Sequence, residues 1–234
     1  MGIGAGEIYS PPAREPERLN ARNYRITAED RLGVGSLRQK ARDNFAAIEL
    51  VRALDSESRA PTDDERRTLV KYVGWGGIPQ VFADFGSVEW QPERERLNSL
   101  LTESEYEAAR ASTLNAHYTA PVVVSAMYEA VQRLGFKHGR VLEPALGTGH
   151  FFGLMPEEMS AGSRLTGVEV DPLTANIARK LYPDADIRGQ GFETAALVEN
   201  SFDLAISNVP FLSLIHISEP TRLRRISYAV FCLK

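Results

Sequence analysis

The run Leu142-Glu143-Pro144-Ala145-Leu146-Gly147-Thr148-Gly149-His150-Phe151 sets two closely spaced glycines between a strand-prone stretch and a helix-prone one. Glycines at such a junction let the backbone approach a ligand closely, and the following helix N-terminus adds N–H donors and partial positive charge. About 20 residues later, Gly167-Val168-Glu169-Val170-Asp171-Pro172 places an acid where the ribose hydroxyls of a nucleoside cofactor would lie. Glu169 is the residue expected to make that bond. Either element alone reads equally well as an ordinary connection with a surface carboxylate. A G-x-G-x-x-G pattern would need glycine where Phe152 stands, and the next glycine is Gly153, which weakens a pyrophosphate cradle. A third feature, Asn208-Val209-Pro210-Phe211, follows the strand-like run Asp203 to Ser207, at the carboxyl edge where α/β proteins place their sites. By itself Asn208 reads as a turn residue ending a strand. No Cys/His spacing around His117 or His150 fits a zinc site, so no metal is expected.

These residues need a frame to position them. Arg140 to Glu143, Leu165 to Val170, Ala185 to Arg188 and Asp203 to Ser207 are short apolar or β-branched runs, separated by segments long enough for helices. That alternation predicts an α/β fold with a parallel sheet covered on both faces. Upstream, the spacing of Leu37, Ala41, Phe45, Ile48, Val51 and Leu54 predicts a helix from Ser36. Thr62 with Glu65 forms a capping box for a second helix reaching about Tyr72, and Thr102 with Glu105 repeats it. Between them, Gly74-Trp75-Gly76-Gly77 reads as a turn anchored by one aromatic, a structural clamp before a ligand loop. Pro121 belongs to the first turn of the helix VVVSAMYEAVQRLG. The division expected is a loose arm over 1–34, a helical region over 35–114, an α/β region over 115–211 and a tail over 212–234.

Taken together, the set resembles the class I S-adenosylmethionine-dependent methyltransferases, specifically the N6-adenine DNA methyltransferases with Asn-Pro-Pro-Tyr/Phe motifs, over roughly Asn115 to Phe211. The resemblance implies a Rossmann-like sheet, here its first four parallel strands, preceded by a helical region. It implies S-adenosylmethionine as cofactor and an adenine of DNA as substrate. Glu143, Pro144, Gly147 and Gly149 look like the cofactor loop, and Glu169 like the ribose-binding acid. Gln190 and Phe192, in Gln190-Gly191-Phe192, look like the segment beside the cofactor adenine. Tyr118 and Thr119, in His117-Tyr118-Thr119-Ala120-Pro121, resemble the segment that helps hold the methionine part. By the same resemblance Asn208, Val209, Pro210 and Phe211 are catalytic. The Asn208 side-chain carbonyl and the Val209 backbone carbonyl would accept both hydrogens of the adenine amine, and Phe211 would stack on the flipped base. Val209 departs from the family's first proline, yet its carbonyl remains and Pro210 biases it toward the extended conformation. Lys71-Tyr72-Val73-Gly74-Trp75-Gly76-Gly77 resembles the region preceding such a domain in large phage and plasmid proteins that join a methylase to a helicase, which implies a fused helicase domain. Other substrate classes stay open: a protein glutamine amide or other amine, or none, in a degenerate binding module. A nicotinamide dehydrogenase is the distant alternative.

Leu212 to Arg222 resembles the one-frame translation of a transposase-type sequencing-library adapter, and Ile226 to Leu233 resembles its flow-cell end. The expectation is therefore a non-native tail over 212–234 and a domain cut at its catalytic motif. The fourth strand would be left as an exposed edge, cofactor binding would be weak and methylation absent. DNA would be bound through a missing C-terminal target-recognition region. The full 234 residues are 43% hydrophobic and 25% charged, which excludes wholesale disorder. No apolar run approaches the roughly 20 residues of a membrane span, and the N-terminus lacks a signal-peptide pattern, so a cytoplasmic protein with no membrane partner is expected. The net charge of −4 becomes −7, 23 basic against 30 acidic residues, once 212–234 are set aside. Neither value is a basic footprint for nucleic acid.

Overall fold

A computed structural model describes residues 22–82, 88–113, 118–198, 200–208 and 230–233. Ser36 caps α1 (Leu37–Ser56) by accepting the Gln39 N–H, and Ala41, Asn44, Phe45, Ile48, Val51 and Leu54 bury one face of it. Capping boxes at Thr62 and Thr102 start α2 (Asp63–Leu69) and α4 (Glu103–Ser112), the starts that the sequence predicts. α2 stops at Leu69 rather than near Tyr72. The reason is Asn44, fully buried on α1, which donates to the Gly74 carbonyl at 2.6 Å and accepts the Val73 N–H at 2.9 Å. These bonds draw the chain out of the helix into a turn. Trp75 then inserts among Phe45, Tyr72 and Phe82, with ring centroids 5.9, 6.5 and 5.9 Å away. α3 (Gln91–Leu100) has no counterpart in the sequence reading, because it buries Leu97 alone and so carries no apolar stripe. α5 (Pro121–Arg133) begins with its proline in the first turn.

Residues 22–34, expected as part of a loose arm, are instead bound to the rest of the chain. The Tyr24 N–H reaches the Leu181 carbonyl and the Ile26 N–H reaches the Gly153 carbonyl, at 2.8 and 3.0 Å. Ile26 is buried, and a Cβ on Gly153 would collide with it. The glycine one place beyond the G-x-G-x-x-G frame thus serves packing. Arg22 pairs with Asp184, and Arg25 donates to the Met155 carbonyl at 2.7 Å. Composition made this segment look unstructured, but its polar groups find partners more than 100 residues away.

β1 (Arg140–Glu143), β2 (Arg164–Glu169), β3 (Asp186–Gly189) and β4 (Leu204–Ser207) run parallel in the order β3-β2-β1-β4. α6 (His150–Leu154) and α7 (Glu157–Ala161) link β1 to β2, and α8 (Pro172–Leu181) links β2 to β3. Val141, Leu142 and Glu143 are buried in succession, as in a strand covered on both faces. A fifth strand, β5 (Val230–Leu233), pairs antiparallel with β4, so the exposed edge expected there is covered. An open edge offers N–H and C=O groups to any extended apolar segment, and Val-Phe-Cys-Leu is one. The chain moves outward from β1 to β3 and returns beyond β1 for β4. The strand order therefore reverses between β1 and β4, and the carboxyl ends leave a crevice there. Among the described residues no helix is long and apolar enough to cross a membrane.

Candidate cofactor and target site

The loop after β1 depends on its glycines. Gly147 and Gly149 adopt positive φ angles of 57° and 82°, which side chains disfavour. A Cβ at 147 would press on the Tyr118 ring, and one at 149 would run into Tyr182. Glu169, at the end of β2, accepts the Gly147 N–H through Oε2 and the Asp171 N–H through Oε1, both at 2.8 Å. The acid and the glycine loop are thereby locked together. Burial raises the pKa of Glu169, aided by the charge of Asp171 and opposed by these backbone bonds.

Glu143 closes β1 at 1% exposure, and its Oε2 has no hydrogen-bond partner among the described residues. Burial first, and the charge of Glu169 second, push its pKa well above the usual carboxylate range. Ser207 closes the adjacent β4, equally buried and with Oγ likewise unpartnered among the described residues. Buried polar atoms without partners are uncommon, and here two of them flank the switch point beside a glycine cradle. The donor set fits a polar nucleoside ligand such as S-adenosylmethionine. Ser207 was not singled out in the sequence, where a serine at a strand end carries no signal of its own.

Tyr118 is half-buried over Gly147, and Thr119 beside it is half-buried. Burial, then the charges of Glu169 and Asp171, raise the Tyr118 pKa, while Thr148 beside its hydroxyl opposes the shift. The ring stands 4.8 Å from that of His150. Burial lowers the pKa of His150 to about 4, with the nearby Val70 carbonyl opposing the shift. Pro144 is half-buried behind the loop. Gln190 and Phe192 lie past the end of β3; both are exposed, and Phe192 begins a short 3-10 turn. Val170, missed in the sequence, follows Glu169 directly and is 69% exposed. Val170 and Phe192 are exposed apolar residues just past neighbouring strand ends.

Asn208 follows β4 directly and is half-buried. Val209, Pro210 and Phe211, like His117, lie outside the described residues. Glu143, Gly147, Gly149, Tyr118 and Glu169 thus form one connected cluster. Gln190 and Phe192 follow β3, the strand beyond β2, and Asn208 follows β4, the strand paired with the one that Glu143 ends. No group of three His, Cys, Asp or Glu side chains able to hold a metal ion occurs among the described residues.

A parallel sheet ordered β3-β2-β1-β4, preceded by helices, with a glycine loop after β1 and an acid ending β2, is a Rossmann-like α/β topology, the arrangement that the class I methyltransferase resemblance implies. Among known proteins the chain is similar to defense against restriction protein B of Escherichia phage P1, 29% identical over 177 residues. The match takes in 75% of this chain, which spans 6% of the length of that relative. No family model matches. Among solved structures it is similar to a protein assigned to the class I S-adenosylmethionine-dependent methyltransferases of Listeria monocytogenes, with 16% identity over 74% of this chain and 59% of that one and a TM-score of 0.38. It is also similar to the methyltransferase subunit of a type I restriction-modification system of Streptococcus thermophilus, with 15% identity over 72% and 44% and a TM-score of 0.35.

Proposed function

We propose that this chain carries the cofactor-binding part and the catalytic tetrapeptide of an N6-adenine DNA methyltransferase. The observation that carries the reading is the pair of buried polar atoms, Glu143 Oε2 and Ser207 Oγ, that find no partner among the described residues and flank the crevice between β1 and β4, with Asn208 next in line. S-adenosylmethionine, when bound, supplies a methyl group made electrophilic by its sulfonium. The glycine loop lets the backbone lie against the ligand, and Glu169, held by the Gly147 and Asp171 N–H groups, takes the ribose hydroxyls. Tyr118 and Thr119 hold the methionine end, while Val170, Gln190 and Phe192 border the adenine. The Asn208 amide oxygen and the Val209 carbonyl accept both hydrogens of the target amine. That orients a lone pair otherwise delocalised into the ring and favours the transition state over the ground state. Phe211 stacks on the base taken out of the duplex.

The name of the phage relative, which speaks of defense against restriction, supports DNA as the substrate. DNA contact is assigned to a target-recognition region and a helicase outside this segment. A second substrate class, a protein amide or amine, is favoured by the acidic balance of the chain.

Two measurements test the reading. Calorimetric titration of the 234-residue chain should detect S-adenosylhomocysteine and not NAD. In the longer protein that carries this segment, labelled methyl should enter N6-methyladenine of DNA, and Asn208→Ala should abolish it. Failure to bind S-adenosylhomocysteine would sink the cofactor reading, and label in protein with none in DNA would move the assignment to the second class.

A further inference from the structure

Gly149 caps α6 and Gly153 lies within it, four residues on, so both turn toward the same side of that helix. Tyr182, which follows α8 directly, fills that side and is fully buried. A Cβ on Gly149 would run into Cε2 of its ring and stand 2.9 Å from Cδ2, and one on Gly153 would stand 2.6 Å from its hydroxyl. Approaches under 3.0 Å are closed to a real Cβ, so the two glycines are what let the ring lie on the backbone. The Phe152 ring meets that of Tyr182 edge-on at 5.9 Å. The proposed reaction uses Gly149 and leaves Gly153 and Tyr182 without a part.

The tyrosine is the fixed partner in this contact. Its N–H donates to the Ala178 carbonyl at 2.8 Å, its carbonyl accepts the Ala185 N–H at 3.1 Å, and the Leu181 carbonyl before it accepts the Tyr24 N–H at 2.8 Å. Ile26 closes the far side, since its N–H reaches the Gly153 carbonyl at 3.0 Å and a Cβ at 153 would stand 2.5 Å from its side chain. Gly149, by contrast, has a φ of 82° and no side chain, so its own torsions restrain it weakly. A ring held through its own backbone therefore decides where a permissive loop comes to rest.

We propose that Tyr182 is a positioning residue of the cofactor loop: its ring supports Gly149 and so sets how the backbone from Gly147 to Gly149 stands toward the ligand. The inference rests on the cofactor reading given above. Tyr182 acts through Gly149 and does not touch the ligand itself. Without the ring the loop samples more torsions, and binding must then order it, an effect of about tenfold in affinity.

Calorimetric titration of the 234-residue chain with S-adenosylhomocysteine reads the effect. Tyr182→Leu should weaken binding about tenfold. Tyr182→Phe keeps the ring and loses only a hydroxyl that has no hydrogen bond among the described residues, so it should restore binding to within about twofold of the parent. Leu97→Ala, in the core of the helical region, should lower the melting temperature as Tyr182→Leu does and leave the affinity unchanged. If Tyr182→Leu does not fold, Gly153→Ala decides. Its methyl meets the Tyr182 hydroxyl and Ile26, so binding should weaken about threefold, and adding Tyr182→Phe should recover part of that loss. Unchanged affinity in Tyr182→Leu, an equal loss in Tyr182→Phe, or no recovery in the double variant overturns the role of Tyr182 and leaves the cofactor reading standing. Absence of S-adenosylhomocysteine binding to the unaltered chain overturns both.

Discussion

His150 opens α6 at the rim of the glycine loop, where burial lowers its pKa to about 4. An imidazole in the unfolded chain titrates near 6.5, so between these values the unfolded state binds a proton that the folded state refuses. The stability tied to the neutral ring is complete above pH 6.5 and is lost as pH falls toward 4, roughly 3 kcal/mol over the window. Urea denaturation at pH 7.5, 6 and 5 should show this loss in the parent and a flatter profile in His150→Asn; identical profiles would refute the buried neutral ring. Glu143 works in the opposite sense. Its pKa is raised by folding, so its contribution falls as pH rises above 4.5, and a ligand that satisfied Oε2 would remove part of that cost. At this scale the sequence reading was informative where type and spacing suffice, as at Gly147, Gly149 and Glu169. That Glu143 Oε2 finds no partner among the described residues could not be read, because it depends on which groups fail to reach it.

Among the elements, the turn after α2 shows how one buried amide shapes a region. Asn44 satisfies one backbone donor and one acceptor 29 and 30 residues away. Asn44→Ala would leave both without a partner inside the core and should cost about 2–4 kcal/mol, read as a lower denaturant midpoint at unchanged slope. A loss under about 0.5 kcal/mol, the size of an ordinary surface substitution, would show that the turn holds without it. The capping boxes at Thr62 and Thr102 were legible because their partners sit three residues apart. α3 was not legible, since a helix with one buried side chain has no periodicity to detect.

Across the whole molecule, the helical region and the sheet share one core. Ile26 lies against Gly153, Lys180 pairs with Asp55 at 2.8 Å, and Asn176 also donates to Asp55. α8, on which β2 and β3 depend, buries Ala175, Ile177, Ala178 and Leu181, and α1 and α2 border it. A fragment of residues 118–234 should therefore give no cooperative thermal transition by circular dichroism, whereas the 234-residue chain should give one. A sharp transition in the fragment would show that the α/β part is independent.

By itself the sequence determined the local order of the protein: the helix starts at Ser36, Thr62 and Thr102, the four parallel strands to within a residue or two, and the strand-loop-helix that brings Gly147 and Gly149 to a strand end. Each follows from interactions spanning a few residues, which spacing encodes directly. Only the tertiary structure decided that residues 22–34 are bound, that β5 covers β4 and that Asn44 ends α2 early. Those facts depend on groups from 23 to more than 150 residues apart meeting in one structure. No local pattern records such a meeting, because packing selects it after the elements have formed.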